Sequence, residues 1–545
     1  MQLQRIGLSL GLLATLAACA LVPNSSPDPD KTYRLTIVHT NDHHGHFWPN
    51  SDGEYGMAAR KTLVDQIRRE VASQGGYSLL IDGGDVNSGV PESDLQEALP
   101  DFKAMNLLGY QAMAVGNHEF DKPLTVLKKQ REVAQFPMLS ANVYQNGQRL
   151  FDPYKVFDLG GLKVGVLGLT TEDTVRMVHP DHVRGLEFRN TITEASQVVP
   201  ELRRKADVVI AASHMGYYEE GRHGKQAPGD VNLARSVAGI DLIVGGHTHS
   251  TACVKADGTL DRAHVPGAAC QPDRQNGAWI VQAHEWGKYL GRADFEYRRG
   301  EFKLVKYELI PVNLKKSVKS ADGKTTKVHY TQPIAEDPEM LALLTPYQKF
   351  GQDKLMVQIG SVDAVLDGDR ERVRKQATSL GVLIGRAMME RTRADLAIVN
   401  SGGVRDSIKA GAITYKDVLK VHPFGNTVCT VDLTGQELLD YLTAAARMSP
   451  GSGAFPQWAG VALQIADGVV SQVRIGGVAL EPARSYRLAL NNFQAAGGDG
   501  YPKLNGHPGF VDTGFVDADV LRAFISTHSP LLAGDYAPGA AIQRR

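Results

Sequence analysis

The stretch Leu79-Leu80-Ile81-Asp82-Gly83-Gly84-Asp85 contains the pattern that decides the fold of the first half of this chain. A short apolar run of strand character is followed at once by a polar string. Because the carboxyl ends of parallel strands share one rim of an α/β sheet, strings in these positions are expected to converge. The pattern occurs after residues 35–38, 79–81, 112–115, 208–211 and 242–244, with the polar strings Asp42-His43-His44, Gly84-Asp85, Gly116-Asn117-His118-Glu119, His214 and Gly246-His247-Thr248-His249.

Amphipathic stretches alternate with these runs and predict a layered α/β domain over residues 32–335. Residues 279–312 predict several antiparallel strands, and residues 336–358 predict one helix that links two domains. A second α/β domain is expected over residues 359–545, since 545 residues exceed what one core usually supports. Predicted helices lie at 58–70, 124–134 and 192–205, predicted turns near Trp286-Gly287 and Arg299-Gly300, and C-terminal strands at 396–400, 427–433 and 485–490.

The charge balance argues against a nucleic-acid polymer as a partner. Lys and Arg total 59 against 60 Asp and Glu, so no basic surplus exists to follow a phosphate backbone. A small phosphorylated molecule needs only a local cluster of positive charge. We therefore expect a small-molecule ligand. We also expect the protein to be a monomer.

The N-terminus is typical of an export signal over residues 1–19. Arg5 precedes an apolar stretch at 6–18 that is too short to span a bilayer. Leu16-Ala17-Ala18-Cys19 resembles the bacterial lipobox, with Cys19 as the lipidated residue, whereas Ala18-Cys19-Ala20 also fits an ordinary cleavage site. The chain is then either a lipoprotein on the periplasmic side of the outer membrane, held only through Cys19, or a soluble periplasmic protein. Residues 20–31 would form a tether.

Export places the cysteines in an oxidising compartment. Cys253 and Cys270 are close in sequence and flanked by small residues, so we predict a disulfide between them. Closing a loop of that size stabilises a fold by about 3 kcal/mol in the chain-entropy model. Cys429 lies in an apolar run and is predicted to be a buried free thiol.

Each polar string alone is weak evidence for a metal, because a strand-end aspartate often caps the next helix. Together the strings are specific. Asn117 offers an amide oxygen, and His247 and His249 point to the same side of an extended segment. Imidazoles and carboxylates in one place are the ligands of divalent transition metals, so the set predicts a two-metal site.

These strings resemble those of the calcineurin-like metallophosphoesterases, and specifically of the bacterial periplasmic 5′-nucleotidase/UDP-sugar hydrolase family. The resemblance implies an N-terminal four-layer αββα sandwich, a linking helix and a separate α/β substrate-binding domain. It also implies two divalent ions, with zinc expected and manganese or cobalt as alternatives. One ion would be held by Asp42, His44, Asp85 and His249, and the other by Asp85, Asn117, His214 and His247. Nearer relatives carry Gln where His249 stands, a departure that bears on metal preference.

The family pattern also implies a catalytic pair, His118 oriented by Asp121. A hydroxide bridging the two metals would attack phosphorus, and His118 would donate to the developing charge or the leaving oxygen. The alternative for Asp121 is a helix cap ahead of Lys122-Pro123.

The C-terminal half contains candidate substrate residues. Arg405 follows Ser401-Gly402-Gly403-Val404 at a strand end and can form paired bonds to phosphate oxygens, while Arg370 and Arg374 lie one helical turn apart. Without the resemblance, Arg370 and Arg374 would be a solvated charged face. The family pattern implies that two aromatic rings clamp the nucleobase, that Asn426 bonds the base and that Asp499 accepts from ribose, with Gly453 at a further substrate position. The rings are Phe424 and Phe493.

The resemblance implies an exported hydrolase that removes 5′-phosphate from nucleotides and cleaves UDP-sugars, for nucleotide scavenging. One alternative is a 2′,3′-cyclic-nucleotide 2′-phosphodiesterase/3′-nucleotidase with the same domain plan. Another is a non-catalytic nucleotide-binding lipoprotein, although such proteins usually lose ligand residues.

Overall fold

The computed structural model describes residues 27–178, 180–222, 227–319, 324–539 and 541–544. The predicted signal peptide, Cys19 and the first part of the tether lie outside these residues. The described end of the tether contacts the first domain, because the Asp28 backbone N–H donates to the Tyr33 hydroxyl at 3.1 Å. Arg299 also pairs with Asp30 at 2.9 Å.

The first domain contains two six-stranded sheets with helices outside them. Its strands are β1 Tyr33–Thr40, β2 Tyr77–Asp82, β3 Ala112–Ala114, β4 Met138–Leu139, β5 Val143–Gln145, β6 Gln148–Arg149, β7 Tyr154–Leu159, β8 Leu162–Thr170, β9 Leu186–Phe188, β10 Val208–His214, β11 Leu242–Val244, β12 Asp273–Gln275, β13 Ala278–Val281, β14 Tyr289–Arg298, β15 Glu301–Pro311, β16 Lys315–Lys319 and β17 Thr325–His329. Its helices are α1 Met57–Ser73, α2 Pro91–Asp94, α3 Leu99–Leu108, α4 Leu124–Val133, α5 Thr174–Met177, α6 Thr191–Arg203 and α7 Asp230–Ser236.

The strand order is β15-β14-β1-β2-β3-β4 in one sheet and β12-β13-β11-β10-β8-β7 in the other. Alternation along β1 explains how the sheets become inner layers: Leu35 and Ile37 pack between the sheets, whereas Val38 packs against the outer helices. Helices α1, α3 and α4 cover one sheet, and α6 and α7 cover the other. The predicted four-layer αββα sandwich is confirmed.

The prediction of antiparallel strands over 279–312 is confirmed only in part. Strand β13 pairs antiparallel with β12, but it also pairs parallel with β11 and lies in a different sheet from β14 and β15. An apolar run fits either kind of pairing, so its partner could not be read from composition. The β14–β15 hairpin is antiparallel as predicted, and its turn has left-handed backbone at Arg299 (φ 49°) and Gly300 (φ 84°).

Helix α8 Pro338–Leu355 follows the first domain, within the range predicted for the linking helix. It begins after Asp337, whose side chain accepts from the Met340 N–H at 2.8 Å. Met340 and Leu344 are fully buried among the core residues of α1 and α3. The helix is therefore packed as part of the first domain.

The second domain is built on a five-stranded mixed sheet of order β22-β19-β26-β21-β27. Apolar clusters cover both of its faces, one with α10 and α14 and one with α12. Its strands are β18 Gln358–Val362, β19 Leu396–Asn400, β20 Gly411–Thr414, β21 Thr427–Thr434, β22 Pro456–Ala459, β23 Val461–Ala466, β24 Val469–Ile475, β25 Val478–Ala479, β26 Ser485–Asn491, β27 Phe510–Val516 and β28 Ile542–Arg544, and its helices are α9 Arg370–Val373, α10 Ser379–Thr392, α11 Tyr415–Val421, α12 Gly435–Ala446, α13 Asn492–Ala495 and α14 Asp517–His528.

The cysteine predictions agree with the structure. Cys253 and Cys270 form a disulfide. Cys429 lies on β21 as a buried free thiol, and burial raises its pKa to about 12. Among the described residues, no helix is long and apolar enough to cross a membrane.

Candidate active site

The polar strings leave the ends of β1, β2 and β3 in one sheet and of β10 and β11 in the other. The strand ends meet where the two sheets face each other, so the five strings converge as predicted. Several of the predicted ligands adopt left-handed backbone, which is rare for residues other than glycine and is concentrated at functional sites. These residues are Asp42 (φ 51°), His44 (φ 49°), Asp85 (φ 62°), His247 (φ 75°) and His249 (φ 55°).

Asp42, His44 and His249 form one cluster that could hold a cation. The Nε2 atoms of His44 and His249 are 3.1 Å apart. Oδ1 of Asp42 is 3.2 Å from Nε2 of His249 and 3.8 Å from Nε2 of His44. Asp42 and His44 are buried, so these atoms face each other with little water between them.

Asp85, His214 and His247 form a second cluster. Oδ2 of Asp85 is 2.9 Å from Nε2 of His214 and 3.9 Å from Nε2 of His44, so this carboxylate lies between the two clusters. The amide oxygen of Asn117 is 2.9 Å from Nδ1 of His247. The structure thus brings together all seven predicted ligands.

Hydrogen bonds determine which nitrogen of each imidazole ring is available to bind a metal. Nδ1 of His44 lies 2.9 Å from the Asn87 carbonyl, and Nδ1 of His214 lies 2.7 Å from the Gly83 carbonyl. Nδ1 of His249 pairs with the Glu285 carboxylate. Because carbonyls and carboxylates only accept, each Nδ1 must donate, which leaves the Nε2 lone pair of a neutral ring facing into the cluster.

The residues therefore fit divalent cations. Two lone pairs 3.1 Å apart beside two buried carboxylates repel each other unless a positive charge lies among them. The mixed set of imidazole, carboxylate and amide oxygen suits zinc, manganese and cobalt alike.

Two further residues hold the backbone and side chains at this rim in place, and the sequence analysis assigned no role to either of them. The carboxylate of Glu119 accepts from the backbone N–H groups of Asp85, Val86 and Gly116 at 3.0, 2.8 and 2.7 Å. Burial, reinforced by Asp85, raises the pKa of Glu119 to about 7. Asn41 donates to Oδ2 of Asp42 at 2.6 Å and accepts from the Ala283 N–H at 2.7 Å.

His118 lies at the mouth of the clusters. Its Nδ1 is 2.6 Å from Oδ2 of Asp121, and its Nε2 is 4.0 Å from Oδ2 of Asp85. Burial opposes the charged form of His118, but Asp121 and Asp85 outweigh it and raise the pKa. Asp121 contacts His118 as predicted, and the ring is also close enough to His44 and Asp85 to join a cation cluster.

The histidines next to the ligand strings have other contacts. Nε2 of His43 is 2.9 Å from Oδ1 of the buried Asp101. The His46 ring stacks on Trp286 with ring centroids 4.5 Å apart. His284 packs beside Tyr289, with ring centroids 6.1 Å apart.

The second domain places three arginines opposite the clusters. Arg370, Arg374 and Arg405 all line the cavity that the clusters open into. The pKa of Arg374 is lowered to about 9, mainly by burial and further by the charges of Arg370 and Arg405. Its buried Nε has no hydrogen-bond partner among the described residues. Burial and then Arg370 lower the pKa of Arg405 to about 10. Like charges held this close favour an anion between them.

The aromatic and polar residues that are predicted to bind the substrate line the same cavity. Phe424 lies against the first domain and also under Arg405, whose guanidinium is 5.4 Å from the ring centroid. Phe493 packs on Gly498, where a Cβ would be 2.4 Å from the ring. Asn426 completes this side of the cavity.

Asp499 sits where two glycine loops pack together. It accepts from Nδ2 of Asn400 at 2.8 Å, a partner that the sequence analysis did not identify. The Gly402 N–H donates to the Gly453 carbonyl at 2.7 Å, and a Cβ on Gly453 would lie 3.5 Å from the Asp499 carboxylate. Burial raises the pKa of Asp499.

A single cavity of about 860 Å³ is lined by groups from both domains. The first domain contributes one edge of the cation clusters together with His118 and Asp121, and the second contributes all eight predicted substrate residues. Asp42, His44 and His214 lie behind this lining. A cavity of this size that combines cation ligands, arginines and aromatic rings suits a phosphorylated organic molecule.

Comparison with known proteins agrees with this geometry. A family model for calcineurin-like phosphoesterases matches residues 35–251, and one for the 5′-nucleotidase C-terminal domain matches residues 358–506. The chain is 55% identical over 547 residues to Protein UshA of Yersinia enterocolitica, a match that covers 99% of each chain. The chain belongs to the 5′-nucleotidase family of calcineurin-like phosphoesterases.

Other members of the family are similarly close. The 5′-nucleotidase of Vibrio cholerae is 54% identical, over 99% of this chain and 98% of that one. Among solved structures, the 5′-nucleotidase precursor of Thermus thermophilus matches with a TM-score of 0.74 at 30% identity, over 94% of this chain and 99% of that one. The predicted family and two-domain α/β architecture are confirmed. The chain is a metallophosphoesterase, a family that implies divalent metal ions.

Proposed function

We propose that this chain is an exported 5′-nucleotidase that also cleaves UDP-sugars. The observation that carries the proposal is the cavity in which cation ligands of one domain face arginines and aromatic rings of the other. The name of the relative in Vibrio cholerae, 5′-nucleotidase, supports the nucleotide as substrate. The signal-like N-terminus supports export, either as a lipoprotein through Cys19 or as a soluble periplasmic protein.

Two divalent ions are the cofactors that we propose, with zinc first and manganese or cobalt as alternatives. Asp85 would be shared, which suits a carboxylate with two oxygens between two cations. Such a pair would lower the pKa of a bound water towards 7 and would offset the negative charge of the phosphoryl oxygens. The first ion would take Asp42, His44, Asp85 and His249, and the second Asp85, Asn117, His214 and His247.

His118 is the proton donor in this proposal. Its Nδ1 is held by Asp121 at 2.6 Å, which leaves Nε2 facing the cluster side of the cavity. The charges of Asp121 and Asp85 outweigh burial and raise the pKa of this ring, which favours its protonated form. It can therefore donate to the phosphoryl oxygens or to the leaving oxygen as charge develops.

The second domain would hold the substrate. Arg370, Arg374 and Arg405 would bind phosphate oxygens that the cations do not reach. Phe424 and Phe493 would clamp the base, a contact that every base can make because each has a π-face. Asn426 would bond the base, Asp499 would accept from ribose hydroxyls, and Gly453 would leave room for them.

The rival function is that of a 2′,3′-cyclic-nucleotide 2′-phosphodiesterase/3′-nucleotidase, an enzyme with the same domain plan. Phosphate release from 5′-AMP, 3′-AMP, cyclic 2′,3′-AMP and UDP-glucose decides between them. We expect 5′-AMP to be hydrolysed with the largest kcat/KM and UDP-glucose to be cleaved. Preference for a 3′ or cyclic substrate would contradict the proposal, and absence of turnover on all four would leave the non-catalytic lipoprotein.

The domain division is part of the proposal: signal peptide 1–19, tether 20–31, metal-binding domain 32–335, linking helix 336–358 and nucleotide-binding domain 359–545. We propose a monomer, since the residues of both cation clusters and the residues that line the cavity all come from one chain.

A further inference from the structure

Glu285 occupies a distinctive position beside the cation clusters. It lies in the loop between β13 and β14, and its side chain is 11% exposed. One carboxylate oxygen pairs with Nδ1 of His249, and the other lies 2.7 Å from Nζ of Lys288. The backbone next to it is tied to the metal rim, because the Trp286 N–H donates to the Asp42 carbonyl at 2.7 Å.

A second group approaches the same nitrogen of His249. Nη1 of Arg370, from the second domain, is 3.3 Å from Nδ1 of His249. Glu285 and Arg370 require opposite protonation states of this nitrogen. A carboxylate can only accept, so it needs the proton on Nδ1, whereas a guanidinium can only donate, so it needs a lone pair there.

The two tautomers of His249 differ in what they offer to a cation. With the proton on Nδ1, the Nε2 lone pair faces Oδ1 of Asp42 at 3.2 Å and Nε2 of His44 at 3.1 Å. With the proton on Nε2, the ring would donate to Asp42 and could not bind a metal there. The partner of Nδ1 therefore determines whether the first cluster has three ligands or two.

We propose that Glu285 is a positioning residue that selects the metal-binding tautomer of His249 against Arg370. The inference rests on the metal centre of the proposed function and deepens it. Glu285 acts only on the first cluster, because the second cluster takes its lone pairs from His214 and His247. Removing Glu285 should weaken one of two ions and spare the other.

The test uses the full chain with Zn²⁺ alone. The protein is stripped with a chelator and reloaded, and its zinc content and dissociation constants are measured by elemental analysis and by competition with a chromophoric chelator. The unmutated chain should hold two ions. Glu285→Ala should keep one tightly and bind the other about 10-fold to 100-fold more weakly. Glu285→Gln, which keeps a carbonyl oxygen as acceptor, should recover part of the loss.

Two further variants sharpen the result. Glu296→Ala removes a glutamate of β14 that pairs with Arg34 away from the clusters, and it should bind zinc as the unmutated chain does. Glu285→Ala combined with Arg370→Met should bind the weakened ion more tightly than Glu285→Ala alone, because the competing donor is gone. Melting of the stripped proteins shows whether all variants fold.

The outcomes separate the inference from the function that it rests on. If the unmutated chain binds no zinc, the proposed metal centre fails. If it binds two ions and Glu285→Ala binds both with unchanged constants, the role of Glu285 is overturned while the centre stands. If the double variant gains nothing over Glu285→Ala, the competition with Arg370 is overturned.

Discussion

The ring of Phe424 stacks on the imidazole of His118, with centroids 5.9 Å apart and planes inclined by 16°. Phe424 belongs to the second domain and His118 to the first, so the proposed base clamp lies directly against the proposed proton donor. The Arg405 guanidinium also lies 5.4 Å from the centroid of the Phe424 ring. Binding of the base and protonation of the leaving oxygen are therefore expected to depend on the same arrangement of the two domains.

Replacing both Phe424 and Phe493 by Ala should raise KM for 5′-AMP far more than KM for p-nitrophenyl phosphate. Stacking is worth about 1–3 kcal/mol per base, or roughly 5-fold to 150-fold for each ring. Steady-state kinetics on both substrates measure the difference. Phe515→Ala, at an exposed position of β27, is the matched control. Equal increases for both substrates would rule out the clamp.

His118→Ala should reduce kcat for 5′-AMP by about 10²-fold to 10⁴-fold, the usual contribution of a positioned acid. The zinc content should stay at the unmutated level, since His118 is proposed to face the substrate. Asp121→Asn should cause a smaller loss, because an amide orients the ring less firmly. Loss of an ion from His118→Ala would instead make this residue a metal ligand, in line with its distance from Asp85.

Lys416→Met should destabilise the chain strongly. Lys416 on α11 forms an ion pair with Glu92 on α2, and Glu92 is fully buried against Gly351 of α8. Leaving a buried carboxylate unpaired costs about 3–5 kcal/mol. The double variant with Glu92→Gln should recover part of this. Urea midpoints of the unmutated chain, Lys416→Met, Glu92→Gln and the double variant measure the effect. A Lys416→Met midpoint equal to that of the unmutated chain would contradict it.

The pair of Glu70 and Arg292 should contribute stability with a defined pH dependence. Two guanidinium nitrogens lie 2.9 Å from the Glu70 carboxylate, and this bonding lowers the pKa of Glu70. A lowered pKa in the folded state gives stability that is present above the unfolded pKa of about 4.3 and is lost as the pH falls through the folded value.

Glu70→Gln should therefore lower the melting temperature at pH 7, and the difference should shrink as the pH falls towards 3. The carboxylate is 44% exposed, so the contribution should stay below about 1 kcal/mol. Melting of both proteins between pH 3 and pH 8 tests this. A difference that grew towards low pH would show that the sign is wrong.

Much of the site followed from one rule about sheets. Asp42, Asp85 and His214 could be predicted to meet because each follows a strand run, and parallel strands end at a common rim. Glu285 could not be assigned a role, because a single glutamate in a loop has no spacing that marks its partner. Glu92 and Lys416 are 324 residues apart, and no local pattern connects them.

Much of the fold could also be predicted from the sequence. Alternation and helical spacing indicated the strands and helices that build the sandwich. The sheet that β13 joins could not be predicted, because an apolar run fits either kind of pairing. The linking helix was predictable as a helix, but its burial against α1 and α3 depends on the shape of the first domain.

Elemental analysis combined with turnover of 5′-AMP tests the central claim most directly. The chelated protein should be inactive, and activity should return as zinc is added until about two ions are bound per chain. Protein that hydrolyses 5′-AMP at full rate with no bound divalent ion would contradict the account.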